Sequence, residues 1–188
     1  MTTTSIILSI LFILCLTAPV VTRSVGLVRA DDKPSQRWLI PLEFGITQGV
    51  AVSIGYNLGR LFGHMFTYIA DYMVFAMMLV VAIKMFIDSI KMLKGKMLYT
   101  VSTDWDIFSL TILAAMNTLL MSLMGFHFMP FGFWYILLVA LAGFLWSWVI
   151  VGKEFAPGMI KKLSFIEFSA SMFMVVIAIL YLFTNMFE

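Results

Sequence analysis

Charged residues are scarce in this chain, and their scarcity argues against any water-soluble fold. Only 12% of the 188 residues are Asp, Glu, Lys or Arg, whereas 62% are hydrophobic. A soluble domain usually has about 25% charged residues. A chain with a mean hydropathy of +1.03 cannot cover its apolar surface in water. A soluble enzyme, a nucleic-acid-binding module and a disordered linker are therefore excluded, and we expect an integral membrane protein.

Cysteine and catalytic motifs are equally sparse. The single cysteine, Cys15, lies within the first apolar run, so no intrachain disulfide can form. The sequence has no glycine-rich phosphate loop followed by Lys and Ser or Thr, and no His-Glu-x-x-His motif. It also has no arrangement of Ser, His and Asp that indicates a hydrolase. We therefore expect no enzymatic activity and no bound cofactor.

What the chain does contain is a series of long, unbroken apolar runs, each near the roughly 20 residues that a membrane-spanning helix needs. The first run has no basic residue before it, which favours a retained helix over a signal peptide. Transmembrane barrels read as alternating segments of about ten residues, so helices are favoured here. The predicted spans cover residues 6–28, 38–62, 66–92, 105–126, 131–151 and 163–187.

The basic residues predict the orientation of these spans. Ten of the 12 Lys and Arg lie in connectors one, three and five or on their flanks, Arg23 among them, while Arg60 and Lys84 lie within spans. Connectors rich in Lys and Arg stay in the cytoplasm. We therefore expect both termini on the outer side of a bacterial inner membrane, with the lipid bilayer as the main partner and no nucleic acid bound.

An internal repeat is indicated by the third and sixth spans. Residues 71–83 and 167–179 can be aligned so that Asp71 matches Glu167 and Met78 matches Met174. Three spans per repeat place the second copy upside down in the membrane, which is the architecture of many secondary transporters. The prediction is one all-α membrane domain, 1–188, built as a 3+3 inverted repeat with halves of about 1–97 and 98–188.

Polar residues inside the spans are the candidates for function, because they are costly in hydrocarbon. Asp71, Asp88 and Glu167 lie near span ends, where an interfacial role is the simpler interpretation. Lys84 and Asp88 are four residues apart and are predicted to form an ion pair on one helix face. Asn117 lies in mid-span, where packing and ligand binding are equally plausible. The full set is Glu43, Gln48, Asn57, Asp71, Lys84, Asp88, Asn117 and Glu167.

Glycines in the second span follow a spacing of four residues, which places small residues on common faces and lets neighbouring helices approach closely. We therefore predict a helix-packing role for them, although close packing does not exclude a transport path beside them. They are Gly45, Gly49, Gly55, Gly59 and Gly63.

These motifs resemble the bacterial manganese efflux pump family, which belongs to the wider lysine exporter superfamily. The resemblance rests on Phe44–Gly59, on Ala115–Thr118 and on Val151–Lys153, and extends from about Trp38 to Phe183. It implies six spans in two halves and secondary-active export of a divalent cation.

The chain departs from the family where the resemblance implies carboxylate ligands. Those positions are Gln48 and Asn117, and the first-span motif has become Leu16–Val20, without an acid. Amide oxygens can coordinate manganese but bring no charge, and Glu43 points roughly 140° away from Gln48 on an ideal helix. We expect Gln48, Asn117 and Glu43 as candidate metal ligands of a manganese exporter. The alternatives are a diverged, non-transporting membrane protein with a structural or regulatory role, and an exporter of an uncharged or amino-acid-like solute.

Overall fold

The structure is a computed structural model that describes residues 3–25, 38–63, 69–94, 104–128, 132–151 and 157–186. These residues form seven helices. Most of the basic connectors that predict the orientation lie outside the described residues. The helices are α1 (Thr3–Thr17), α2 (Pro19–Ser24), α3 (Leu39–Gly63), α4 (Ala70–Leu93), α5 (Asp104–Phe128), α6 (Gly132–Ile150) and α7 (Pro157–Met186).

The first predicted span consists of two helices rather than one. Proline has no N–H to donate and its ring clashes with the preceding turn, so it interrupts a helix but fits well at the start of the next. Accordingly α1 ends at Thr17 and α2 begins at Pro19. Backbone hydrogen bonds flank the break, from Ala18 N to Cys15 O (3.2 Å) and from Val21 N to Ala18 O (2.9 Å). The backbone of the linking residue Ala18 keeps helical angles (φ −53°, ψ −34°), so the interruption is confined to the hydrogen-bond pattern.

Four helices are long and apolar enough to cross a membrane: Ala70–Leu93, Trp105–Leu123, Gly132–Ile150 and Lys161–Phe183. They coincide with the predicted third to sixth spans. The 25 residues of α3 reach about 37 Å at 1.5 Å per residue, but its Glu, Gln, Asn and glycines lower its hydropathy. The described part of the chain thus has the helix lengths and hydropathy of a helical membrane protein.

The outer surface of the bundle supports this conclusion. Only 28–50% of each of the four apolar spans is buried inside the protein, so most of their large hydrophobic side chains face outward. Phe133 and Trp105, for example, are 70% or more exposed. A surface of this kind is stable in lipid, where the helical backbone satisfies its own polar groups.

Helices of the first half pack mainly on helices of the second. The most extensive contacts join α3 to α5, α4 to α7 and α3 to α6, while α1 and α2 lie against α6 and α7. The pair α4 and α7 is antiparallel, because Ser89 Oγ donates to Ser164 O (3.1 Å) and Tyr181 Oη donates to Asp71 Oδ1 (2.7 Å) at opposite ends. Met78 and Met174, which the repeat alignment matches, both lie in the main hydrophobic core.

Candidate functional site

A buried ion pair between α2 and α4 is the first element of the candidate site. The Arg23 side chain is 1% exposed and donates from Nη2 to Asp88 Oδ2 at 2.8 Å, with Asp88 9% exposed. Arg23 Nη1 also donates to Pro19 O at 3.3 Å. Pro19 starts the helix that carries Arg23 inward, so the proline break and the buried charge belong together. Lys91 Nζ lies 3.9 Å from Asp88 Oδ1 at the exposed edge.

Glu167 of α7 lies beside this pair, with the Thr22 hydroxyl nearby. The residue is fully buried, and neither carboxylate oxygen accepts a hydrogen bond. Thr22 and Arg23 are close by, but the Thr22 hydroxyl donates to Pro19 O (3.0 Å) and Arg23 is held by Asp88. An unpaired buried carboxyl is costly, so it calls for a functional explanation.

Lys84 connects the ionic groups to the amide groups deeper in the bundle. Its Nζ donates to Asn117 Oδ1 of α5 at 2.7 Å. The predicted ion pair between Lys84 and Asp88 is therefore wrong: both residues lie on one face of α4, but Lys84 reaches across to α5 while Asp88 is taken by Arg23. An ammonium group can only donate, which fixes the Asn117 oxygen as its partner.

Gln48 lies at the contact between α3 and α5, where its partner is the chain neighbour of Asn117. The Thr118 hydroxyl donates to Gln48 Oε1, and Thr118 is the neighbour of Asn117 in the chain. Gln48 also packs on α6, where an added Cβ at Gly143 would come within 2.8 Å of Gln48 Cγ. Gln48 Nε2 and Asn117 Nδ2 are buried without acceptors. The structure thus places two of the three predicted ligands in the same region of the bundle, with their oxygens already engaged by donors.

Glu43, the third predicted ligand, does not join them. It lies exposed on α3, and the Thr47 hydroxyl donates to its backbone carbonyl at 2.7 Å. Asn57 is likewise exposed and donates to Ser53 O at 2.8 Å. Among the described residues, no group of three or more His, Cys, Asp or Glu side chains is placed to hold a metal ion.

These side chains form a buried polar cluster that extends from one end of the bundle toward its middle. Its members are Arg23, Gln48, Lys84, Asp88, Asn117, Thr118 and Glu167. Measured at 1.5 Å per residue from the ends that flank the connector between α4 and α5, Asp88 lies about 8 Å deep and Lys84 about 14 Å. Asn117 lies about 18 Å from Trp105 along α5. Polar groups from α2, α3, α4, α5 and α7 thus follow one another inward within an otherwise apolar bundle.

A groove gives access to this buried polar cluster from the side. It has a volume of about 550 Å³ and its polar lining consists of Arg23, Lys84, Asp88 and Lys91. Its walls are apolar residues of α4 and α5: Val80, Ile83, Ile87 and Leu113. The ionic part of the cluster is therefore within reach of the surroundings, whereas Glu167 and Gln48 lie behind it.

Three of the five predicted glycines, Gly45, Gly49 and Gly55, lie where helices approach closely. An added Cβ at Gly55 would lie 2.6 Å from Leu119 O of α5, and one at Gly45 would lie 3.1 Å from Ala140 O of α6. Gly49 would place its Cβ 3.2 Å from Ala140 Cβ. Gly59 is buried and Gly63 ends the helix. Helix α3 therefore packs on two helices through two different glycine faces.

The interfacial interpretation of the acidic residues is wrong for two of them. Asp88 and Glu167 are buried (7% and 0% exposed), and Arg23, counted from the sequence among the cytoplasmic flanks, is buried with them at 1%. Only Asp71 is partly exposed. Sequence reasoning missed Arg23 and Thr118 as members of the cluster; the signal for Arg23 was its place one turn after Pro19, still within the apolar run.

Comparison with known proteins adds no family to this description. None of the protein-family models, curated proteins or solved structures compared with the chain matches it. The resemblance to manganese efflux pumps thus rests on the sequence motifs alone, and function has to be argued from the buried cluster.

Proposed function

We propose that this chain is a secondary-active exporter of the bacterial inner membrane that binds its substrate in the buried polar cluster. The observation that carries the proposal is a set of four buried or half-buried ionisable side chains, on three helices, inside a bundle whose outer surface is apolar. Ionisable groups at such depth are rare in membrane proteins and mark substrate and ion pathways.

The proposed architecture is the 3+3 inverted repeat with both termini outside. The repeat relates α1–α2 to α5, α3 to α6 and α4 to α7. When these helices are exchanged, the contacts α3–α6 and α4–α7 map onto themselves. The same exchange maps the contact α3–α5 onto that of α1–α2 with α6, which is also present. This pattern supports the repeat, and a substrate site between the two halves is what such an architecture provides.

The charges of the cluster favour an amino-acid-like solute. Arg23 and Lys84 balance Asp88 and Glu167, so a zwitterion would enter without changing the net charge. The unpartnered groups include donors, at Arg23 Nε and Asn117 Nδ2, and the carboxyl oxygens of Glu167 as acceptors. A solute with a carboxylate and an ammonium group would satisfy both kinds of group, as buried polar atoms require.

Manganese is the second candidate substrate, implied by the resemblance. Two observations favour it: Gln48 bonds to Thr118, the chain neighbour of Asn117, and Asn117 Oδ1 already accepts a cationic group, the ammonium of Lys84. A manganese ion would have to displace Lys84 from that oxygen. Deleting the gene should then raise cell manganese and make growth sensitive to manganese, whereas normal manganese and growth would contradict this candidate.

A substitution at Asn117 separates the two substrates. Asn117→Asp supplies the carboxylate that a divalent cation prefers and should tighten manganese binding if manganese is the substrate. If the substrate is a zwitterion, the same change places a new negative charge 2.7 Å from Lys84 Nζ. The new carboxylate then pairs with that ammonium, and binding of the zwitterion should weaken. Radiolabelled manganese and a mixture of radiolabelled amino acids serve as the two probes.

The proposal is tested by transport into liposomes that contain the purified protein. With a pH gradient imposed, the unaltered protein and Lys91→Met should accumulate one of the two probes, and Lys84→Met should not. Lys91 is the matched control because the same change removes an exposed lysine at the edge of the groove. Failure of the unaltered protein to move either probe would favour the non-transporting alternative, a membrane protein with a structural or regulatory role.

A further inference from the structure

We infer that Glu167 is a proton-binding carboxyl and that its proton is the coupling ion of transport. Coupling rests on the proposed function, whereas proton binding rests on the surroundings of Glu167 alone. The residue is fully buried, and its two oxygens have no hydrogen-bond donor. Removing a carboxylate from water without a partner is costly, and the neutral acid avoids most of that cost.

The described side chains near Glu167 direct most of their donors to other groups. From α2, Arg23 is bound to Asp88 and Pro19 O, and the Thr22 hydroxyl donates to Pro19 O. From α4, Lys84 is bound to Asn117. From α1, the titratable group Cys15 lies in a groove with Ala170, one turn further along α7. Among these described neighbours Arg23 Nε is buried without an acceptor, but it makes no hydrogen bond to Glu167 either.

The same neighbours supply a second state. When Glu167 releases its proton, the O–H bond breaks, the proton goes to water and the negative charge stays on the carboxylate. Arg23 and Lys84 are then attracted to Glu167 and away from Asp88 and Asn117. Lys84 is the link to the substrate groups, because it bonds to Asn117 and its charge interacts with those of Arg23, Asp88 and Glu167. Loss of the proton thus weakens the hydrogen bond from Lys84 to Asn117, which the substrate must replace.

The direction of coupling follows from this exchange. A proton that arrives at Glu167 restores the pairs of Arg23 with Asp88 and of Lys84 with Asn117, which occupies the groups that bind the substrate. Protonation and substrate binding therefore exclude one another, which is the requirement for antiport. With one proton exchanged per solute, a gradient of one pH unit can drive about a tenfold accumulation.

Infrared difference spectroscopy tests the proton site without any substrate. The protein in lipid should show the carbonyl stretch of a protonated carboxylic acid at neutral pH. That band should be absent from Glu167→Gln and unchanged in Asp71→Asn, the matched control at the aligned position of the repeat. An identical band in the unaltered protein and in Glu167→Gln, or no band at all, would overturn the inference.

Coupling is tested separately with the two radiolabelled probes. Glu167→Gln keeps position 167 neutral, as protonation does, so both the exchange of a probe between equal concentrations and its accumulation driven by a pH gradient should fall, whereas Glu167→Asp should keep both. Accumulation by Glu167→Gln equal to that of the unaltered protein would overturn the coupling role. If Glu167→Gln does not yield a monodisperse protein, Glu167→Asp takes its place, with a shifted carbonyl band as the expected result. Absence of all transport in the unaltered protein would refute the proposed function and the coupling role, whereas the infrared band still decides the proton site.

Discussion

Breaking the buried pair of Arg23 and Asp88 should destabilise the protein far more than removing a surface charge beside it. Asp88→Asn keeps the shape of the side chain and removes its charge. It leaves the Arg23 guanidinium, 1% exposed, with only neutral acceptors, Pro19 O and the new amide oxygen, and no negative partner at position 88. Removing one partner of a buried ion pair typically costs about 3–5 kcal/mol, and we expect a loss of that size in the free energy of unfolding.

Lys91→Gln is the matched control. Lys91 also approaches Asp88, but at 3.9 Å and with a side chain 55% exposed, so its removal should cost about 0–1 kcal/mol. Equilibrium unfolding in mixed micelles, by titration with a denaturing detergent, measures both. The double variant Arg23→Met/Asp88→Leu should recover most of the loss, because an apolar pair of similar volume leaves no charge unpaired. Equal effects of Asp88→Asn and Lys91→Gln would refute the reasoning.

Three further predictions address packing and orientation. Gly55→Ala should cost about 1–3 kcal/mol, since its Cβ would lie 2.6 Å from a backbone oxygen of α5; Ser53→Ala, measured in the same unfolding assay, should be near neutral. Tyr181→Phe removes the 2.7 Å hydrogen bond to a carboxylate on α4 and should cost about 1.5–3 kcal/mol, and an unchanged stability would contradict that contact. In intact cells a membrane-impermeant maleimide should label Leu61→Cys but not Lys94→Cys, in a background lacking the native cysteine; the reverse pattern would invert the predicted orientation.

Composition and periodicity predict the fold well, because a span of apolar residues has few alternatives in a membrane. The predicted third to sixth spans coincide with α4 to α7 within a few residues. The break of the first span at Pro19 also follows from its chemistry, since proline cannot continue a helix. What composition cannot supply is the partner of each helix, because lipid-facing and protein-facing apolar residues look alike.

The candidate site was predictable only in part for the same reason. Gln48 and Asn117 could be chosen from the sequence because amides in mid-span need partners. The local rule for charges four residues apart failed for Lys84 and Asp88, since partners from other helices, Asn117 and Arg23, competed for them. Burial of Glu167 near a span end depends on α2 packing against α7, and that placement is a tertiary effect which no spacing within one helix reveals.

The central claim is that the buried cluster binds the transported substrate, and binding to the purified protein tests it most directly. Radiolabelled manganese and radiolabelled amino acids are offered in a scintillation proximity assay to the unaltered protein, to Lys84→Met and to Lys91→Met. We predict that the unaltered protein and Lys91→Met bind the same probe. If that probe is an amino acid, Lys84→Met should bind it at least about tenfold more weakly, a loss of about 1.4 kcal/mol. If it is manganese, Lys84→Met should bind it more tightly, because the ammonium no longer occupies Asn117 Oδ1. Equal binding by Lys84→Met, or no binding of either probe by the unaltered protein, would contradict the central claim.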